Sequence, residues 1–379
     1  EAAAALKRRI EQTRKKLSNG DVKLSIYQDT RTKKYFIGRK GATGTVRLVD
    51  NIEKLADAKT MFRDQQVQLQ EMWRQLKVKP EERRSSNRER IGVDYRKGKN
   101  VTPETFSETF GFRGVQFGNW VNNDERQDSL NEAFDALMDL STTLGISGRA
   151  LSLNGELGIA FGARGSGKYN AHYEPGQVVI NLTKTKGAGS LAHEWWHALD
   201  NYFSRMKGDK SKYFTESPRQ KILNTGEKDQ SVRKEMADSF KALVSAINKS
   251  GLPERSRNLD KARSAPYWST IIEMSARSFE NYIIEKLAAS EGSNDYLANF
   301  KEIGEWAERG LNENNYPYPT KDETDAINPA FQDLFDTIQE KVDQDTGNVV
   351  LFRTAEEQSF SIYTELDQIK QNAIADGSF

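Results

Sequence analysis

The sequence predicts an α+β protein, and three observations carry that expectation. Short runs in the strand period crowd residues 22–49 and return at 157–161 and 177–182. Long stretches in the helical period, above all 124–144 and 268–289, lie among them. The third observation is a stretch from Gly189 to Asp200 that reads as a buried helix and holds two of the chain's 3 histidines. A chain of 379 residues suffices for one large core and a smaller module.

Composition narrows the class. The net charge of +1 argues against a globally nucleic-acid-like or acidic surface. With 36% hydrophobic and 29% charged residues, the chain is globular with long solvated faces. It has 0 cysteines, which excludes disulfides and thiolate metal sites and fits a reducing, cytoplasmic setting. No run of eighteen apolar residues exists, so no membrane span is expected. The chain opens on Glu1 and not on Met, which reads as a fragment or a processed product, so any targeting signal upstream is not observable.

Residues 1–19 read as a basic amphipathic helix with Leu6, Ile10 and Leu17 on its apolar face. Val22, Leu24 and Ile26, then Tyr35 and Ile37, then Val46 and Leu48 mark three strands, with turns at 29–33 and 41–44. One helix is expected over 51–77, so residues 1–78 form a small β-meander-plus-helix module. Residues 79–109 read as a basic linker. The run 77–99 holds nine Lys or Arg against four Asp or Glu, so nucleic-acid contact through it is conceivable, although a solvated connector is the simpler reading. Residues 110–343 form the main domain and 344–379 a polar tail.

Aromatics and glycines mix at 110–120, as in a tight buried turn or a ligand loop. The helix at 124–144 ends at Gly145. Residues 162–169 nearly match the phosphate-binding G-x-x-x-x-G-K-S/T pattern. Tyr169 replaces the hydroxyl residue and no helical pattern follows, so a glycine-rich connection between strands is expected. An exposed insertion (204–230), a helix (231–249), a loop (250–266), the 268–289 helix, a helical 294–310 and a last helix (329–343) complete the chain, with a strand-like run at 349–352.

The chemistry concentrates in His193-Glu194-x-x-His197, the H-E-x-x-H pattern of zinc hydrolases. Residues four apart share a helix face, so both imidazoles can converge on one ion, and Glu194 can take a proton from water bound there. Catalytic zinc takes three protein ligands and keeps one position open. The metzincin continuation is missing, because Asp200 and Phe203 occupy its glycine and histidine positions. His172 or a carboxylate remains. Glu273, Glu280 and Glu285 sit on the apolar 268–289 helix, with Glu273 and Glu280 on one face and Arg277 between them. Asp200 is a candidate to orient an imidazole. His172, Tyr173 and Tyr282 are candidate hydrogen-bond donors to an oxyanion. The strand at 177–182 is a candidate edge for binding substrate backbone.

Glu273-Met274-Ser275-Ala276-Arg277-Ser278-Phe279 resembles the E-x-x-A-N/R-x-F signature of the second helix in gluzincin-type peptidases. In that family the first glutamate is the third zinc ligand, which carries over to Glu273. Residues 110–120, Ala171-His172-Tyr173-Glu174-Pro175 and 179–200 resemble the metallopeptidase-like domain of large polyvalent proteins of phages and conjugative elements, over roughly residues 80–340. The resemblance implies a zincin-like fold: a small twisted sheet, the motif helix and a second ligand-bearing helix. It further implies Zn2+ on His193, His197 and Glu273, with peptide hydrolysis in a bacterial cytoplasm. The substrate would be a protein or peptide, including the parent polyprotein. The alternatives are a zinc-bound, non-proteolytic interaction domain and a zinc hydrolase of a non-peptide bond.

Overall fold

The computed structural model describes residues 22–41, 44–77, 82–118, 123–162, 171–182, 189–206, 213–216, 234–261, 263, 265–307, 312–338, 340–344 and 346–351. The expected helix at 1–19, the glycine-rich connection at 163–170, most of the insertion and the tail beyond 351 lie outside the described residues. The architecture is mixed α+β, with small sheets and several helices.

Strands β1 (Ser25–Gln28), β2 (Tyr35–Gly41) and β3 (Gly44–Ile52) form an antiparallel meander. Helices α1 (Leu55–Asp64) and α2 (Gln66–Lys77) follow. Leu24, Ile37, Leu69 and Trp73 make a core of their own. The single helix expected over 51–77 is two, because Gln65 leaves the helical region (φ −115°, ψ 30°) and residues 51–52 belong to β3.

The larger core is built around a second sheet. Strands β4 (Val115–Phe117), β5 (Gly158–Phe161), β6 (Ala171–Glu174) and β7 (Val179–Leu182) lie in the order β4-β5-β7-β6. The first three in that order run parallel, and β6 pairs antiparallel with β7. Every residue of β5 and β7 is buried, as expected of strands covered on both faces. The strand expected at 177–182 is therefore interior, and the edge strands of this sheet among the described residues are β4 and β6.

Helices α3 (Pro103–Phe110), α4 (Asn123–Leu144), α5 (Leu191–Met206), α6 (Lys234–Lys249), α7 (Leu252–Asp260), α8 (Ile271–Ala289), α9 (Ile303–Ala307) and α10 (Lys321–Asp336) surround it. A hairpin of β8 (Glu340–Val342) and β9 (Val349–Leu351) follows α10.

Several expectations are corrected here. Helix α3 has a Thr102 N-cap and Pro103 in its first turn, and Gly111 (φ 67°) closes it; too short for a clear period, it takes part of the stretch read as a turn at 110–120. Its Phe106 and Phe110 pack with Phe112 and Phe134. The loop expected at 250–266 contains α7, which Pro253 enters at the first turn where proline is tolerated. Of the expected 294–310 helix only α9 forms among the described residues, because 294–300 instead bonds to neighbouring segments. The last helix begins eight residues early, at a Thr320–Glu323 capping box, and its expected end is strand β8.

The basic stretch read as a linker is a strap held on the main core. Arg83 bridges to Phe300 and Ile91 to Ser293 through backbone pairs. Its guanidinium groups meet acidic partners: Arg84 with Glu305, Arg88 with Asp295, Arg90 with Asp139 and Arg96 with Asp135. These groups are neutralised within the molecule, so the run is not a free basic connector. No helix among the described residues is long and apolar enough to cross a membrane.

Candidate metal centre

Helix α5 is buried along nearly its whole length. Trp195 donates to the Leu151 carbonyl at 3.0 Å, and Trp196 to Ser275 Oγ on α8 at 2.9 Å. Trp196 also stacks on Phe279 of α8 (centroids 5.1 Å) and meets Phe331 of α10 edge-on. Truncating a buried aromatic of this size costs about 3–5 kcal/mol, so this packing fixes the helix pair firmly. Gly189, just before α5, is required: its φ is +91°, and a Cβ there would lie 2.4 Å from that of Asn299.

The packing brings His193, His197 and Glu273 together, with one ligand atom of each within 4.8 Å of the others. Glu273 Oε2 lies 3.4 Å from His193 Nε2, and Oε1 lies 3.6 Å from His197 Nε2. Glu273 stands in the first turn of α8, where the Thr270 side chain caps its amide. Glu280, two turns on, is wholly buried and contacts His193 Nδ1 at 3.0 Å. That bond leaves Nε2 to face the ligand position. Arg277 is buried between the two glutamates: Nε donates to the Pro317 carbonyl at 2.8 Å, Nη2 to the Trp268 carbonyl, and Nη1 lies 3.7 Å from Glu273.

Two imidazoles and a carboxylate at this separation are a zinc donor set, and the residues fit the ion that the motif implies. Three carboxylates, Glu194 and Glu280 buried and Glu273 half-buried, lie with two guanidinium groups (Arg83, Arg277). One more positive charge is wanted, and without a metal His193 supplies it. Burial disfavours its charge, but Glu280 and Glu273 outweigh that and raise its pKa to about 10. Burial also opposes the charge on Glu273, but both histidines and Arg277 hold it at about 2. Burial and the neighbouring His193 depress His197 to about 4.

Glu194 projects beside this cluster, buried, and no hydrogen bond or ion pair among the described residues engages its carboxylate. Burial, with Glu273 adding to it, raises its pKa to about 7 against the pull of His193 and Arg83. An unfolded glutamate ionises near 4.5, so between about 4.5 and 7 this residue binds fewer protons in the unfolded metal-free chain than in the folded one. The contribution of Glu194 to stability then falls as pH rises across that window, by about 3 kcal/mol, whereas His197 acts in the opposite direction below its unfolded pKa of 6.5. Asp200 acts in the same direction as Glu194, since burial raises it to about 7. In metal-free protein, Glu194→Gln should shrink the difference between thermal midpoints measured at about pH 5 and about pH 8. A pH dependence as steep as that of the unmodified chain would contradict the assignment.

The other sequence candidates lie elsewhere. Asp200 does not orient an imidazole; its carboxylate accepts from the Thr215 amide (2.8 Å) and hydroxyl (2.6 Å). It thereby docks the one-turn helix Phe214–Glu216, which is largely buried where an exposed insertion was expected. His172 contacts Glu174 at 3.1 Å on β6. The Tyr173 hydroxyl donates to Asn201, and that of Tyr282 to Gln332, each a packing role. Glu285 bonds Asn328.

Three residues that sequence reasoning missed border the site. Tyr213 lies edge-on to His197 (centroids 5.8 Å), and burial raises its phenol pKa. Tyr267, before α8, is raised by burial and by Glu273. Arg83 of the strap pairs with Glu280 at 2.8 Å. No spacing signals any of them: Arg83 and Tyr213 arrive through the fold from other segments, and Tyr267 lies in the irregular stretch that leads into α8.

Residues 1–109 match the family described as large polyvalent protein-associated domain 5, and residues 259–342 match large polyvalent protein-associated domain 1. No curated protein and no solved structure matches the chain. The matched segments differ from the extent expected from the sequence, roughly 80–340: the first takes in the whole N-terminal module and the strap, the second holds Glu273, Arg277 and Glu280, and α5 lies in neither. Two segments of the chain are thus similar to domains associated with large polyvalent proteins.

Proposed function

We propose that the chain is a zinc-dependent, zincin-like peptidase that works within a polyvalent protein of a phage or mobile element, in the cytoplasm. One observation carries the reading: His193, His197 and Glu273 converge, and among the described residues no hydrogen bond or ion pair engages the Glu194 carboxylate beside them. Support for the zincin arrangement comes from a small sheet with an antiparallel edge strand, a motif helix beside β6 and β7, and a third donor on the helix packed against it.

His193 Nε2, His197 Nε2 and the Glu273 carboxylate would hold the ion, which when bound polarises a carbonyl and makes water acidic. Glu280 fixes the His193 ring through Nδ1. Glu194, beside the two histidines, takes a proton from the attacking water and returns it to the leaving amine. The outermost position of β6 in the sheet suits addition of an extended peptide backbone. Peptide segments in the same chain are present at high effective concentration, which favours cleavage of the parent polyprotein.

The test is zinc analysis of purified protein, incubation with a peptide library, and intact mass of the expressed chain with and without Glu194→Gln. About one zinc per chain, peptide cleavage, and any self-cleavage confined to the unmodified form are expected. Protein that fails to bind added zinc would end the reading.

A further inference from the structure

The strap, the 294–300 segment and the start of α5 are tied together behind the metal cluster. The Lys301 amide donates to the Glu82 carbonyl (2.8 Å), and the Arg84 amide to Asn299 Oδ1 (3.2 Å). The Asn299 amide donates to the Gly189 carbonyl (3.0 Å), the Gly189 amide to the Tyr296 carbonyl (2.8 Å), and the Ala192 amide, in the first turn of α5, to the Leu297 carbonyl (2.9 Å). Arg83 lies at the centre. Its Nη1 donates to the Gly189 carbonyl, and its Nη2 lies 2.8 Å from Glu280 Oε1. The other Glu280 oxygen contacts His193 Nδ1 at 3.0 Å.

Arg83 is therefore one carboxylate away from His193 and in direct contact with Gly189, two residues before the motif helix. Among the described residues Glu280 has two ion-pair partners, His193 on one oxygen and Arg83 on the other, and Arg83 is the one outside the metal cluster. A fully buried carboxylate without that partner must recruit a proton or water, and either change reorients the imidazole that it holds. Arg83 comes from the segment similar to one polyvalent-protein domain, whereas Glu280 comes from the segment similar to the other.

Building on the zinc reading above, we infer that Arg83 is a positioning residue of the metal centre, and that strap docking and tight zinc binding are one linked equilibrium. The strap acts as part of the centre and not as a tether between modules. By reciprocity, zinc holds the strap down as strongly as the strap raises zinc affinity.

Zinc affinity by chelator competition and thermal midpoints should be measured for unmodified protein, Arg83→Met, Arg83→Lys, Glu280→Gln and Arg90→Met. Arg90 pairs with Asp139, away from the site, and reports simple loosening of the strap. Arg83→Met should weaken zinc binding about 10–100-fold, the scale seen when the partner of a metal-ligating histidine is disturbed, and Arg83→Lys should recover part of it. Arg90→Met should lower the midpoint with affinity nearly intact. Arg83→Met and Glu280→Gln combined should weaken binding no more than the stronger single change, because they act through one path. Hydrogen exchange needs no variant: zinc should slow the Ile91 and Lys301 amides about tenfold more than amides of β2. Equal affinity in Arg83→Met and unmodified protein, or a strap whose exchange ignores zinc, overturns the inference while leaving the peptidase reading standing. Unmodified protein that binds no zinc overturns both.

Discussion

Glu194→Gln should abolish most peptide hydrolysis while leaving zinc and fold in place. The amide is nearly isosteric with the carboxylate, and neither imidazole touches it through a bond that the change would break. What it lacks is the ability to take a proton. Losing general acid–base help costs at least about a hundredfold in rate, or about 2.7 kcal/mol of barrier. The measurement is kcat/KM on a cleaved peptide, beside zinc content, for both forms. Equal turnover with zinc bound in both would rule out Glu194 as the base. The raised pKa makes this group costly to folding in metal-free protein, so Glu194→Gln should be the more stable form there at neutral pH.

Glu273→Ala should lower zinc affinity more than any other single carboxylate change. It removes one of three donors and leaves two imidazoles to hold the ion. Glu280→Ala leaves all three donors and disturbs only the ring that Glu280 orients, an effect of about 10–100-fold. Titration against a chelator of known affinity separates the two. A larger loss from Glu280→Ala would mean that the carboxylate contacting His193 Nδ1 is the ligand and that the imidazole turns over when the ion binds.

The chain's local chemistry was legible before any coordinates. A four-residue spacing on a helix is a property of 3.6 residues per turn, so the convergence of His193 and His197 followed from the sequence. Long periodic segments such as α4 and α8 were legible for the same reason, since burial of one face imposes the period. Glu273 was one of three carboxylates on its helix until a resemblance chose it, and the packing of Trp196 against Ser275 and Phe279 is what brings it to the histidines. Short elements escaped: α3, α7, β4 and β8 run from three to nine residues, too few to establish a period, and caps and neighbours hold them. Asp200 was legible as a polar residue on the motif helix but not as the partner of Thr215, because the returning segment determines its bond.

Arg83 marks the sharpest division. In sequence it is one of nine basic residues in a run that composition assigns to solvent. Which of those charges is buried depends on where a carboxylate almost two hundred residues away is held. Glu280 is buried by the apolar packing of α8 and must be neutralised there, so a nonlocal contact turns one surface-like arginine into the partner of a buried carboxylate. Periodicity and spacing can nominate donors along a single helix. The choice among distant charges rests on desolvation, which exists only once the chain has folded.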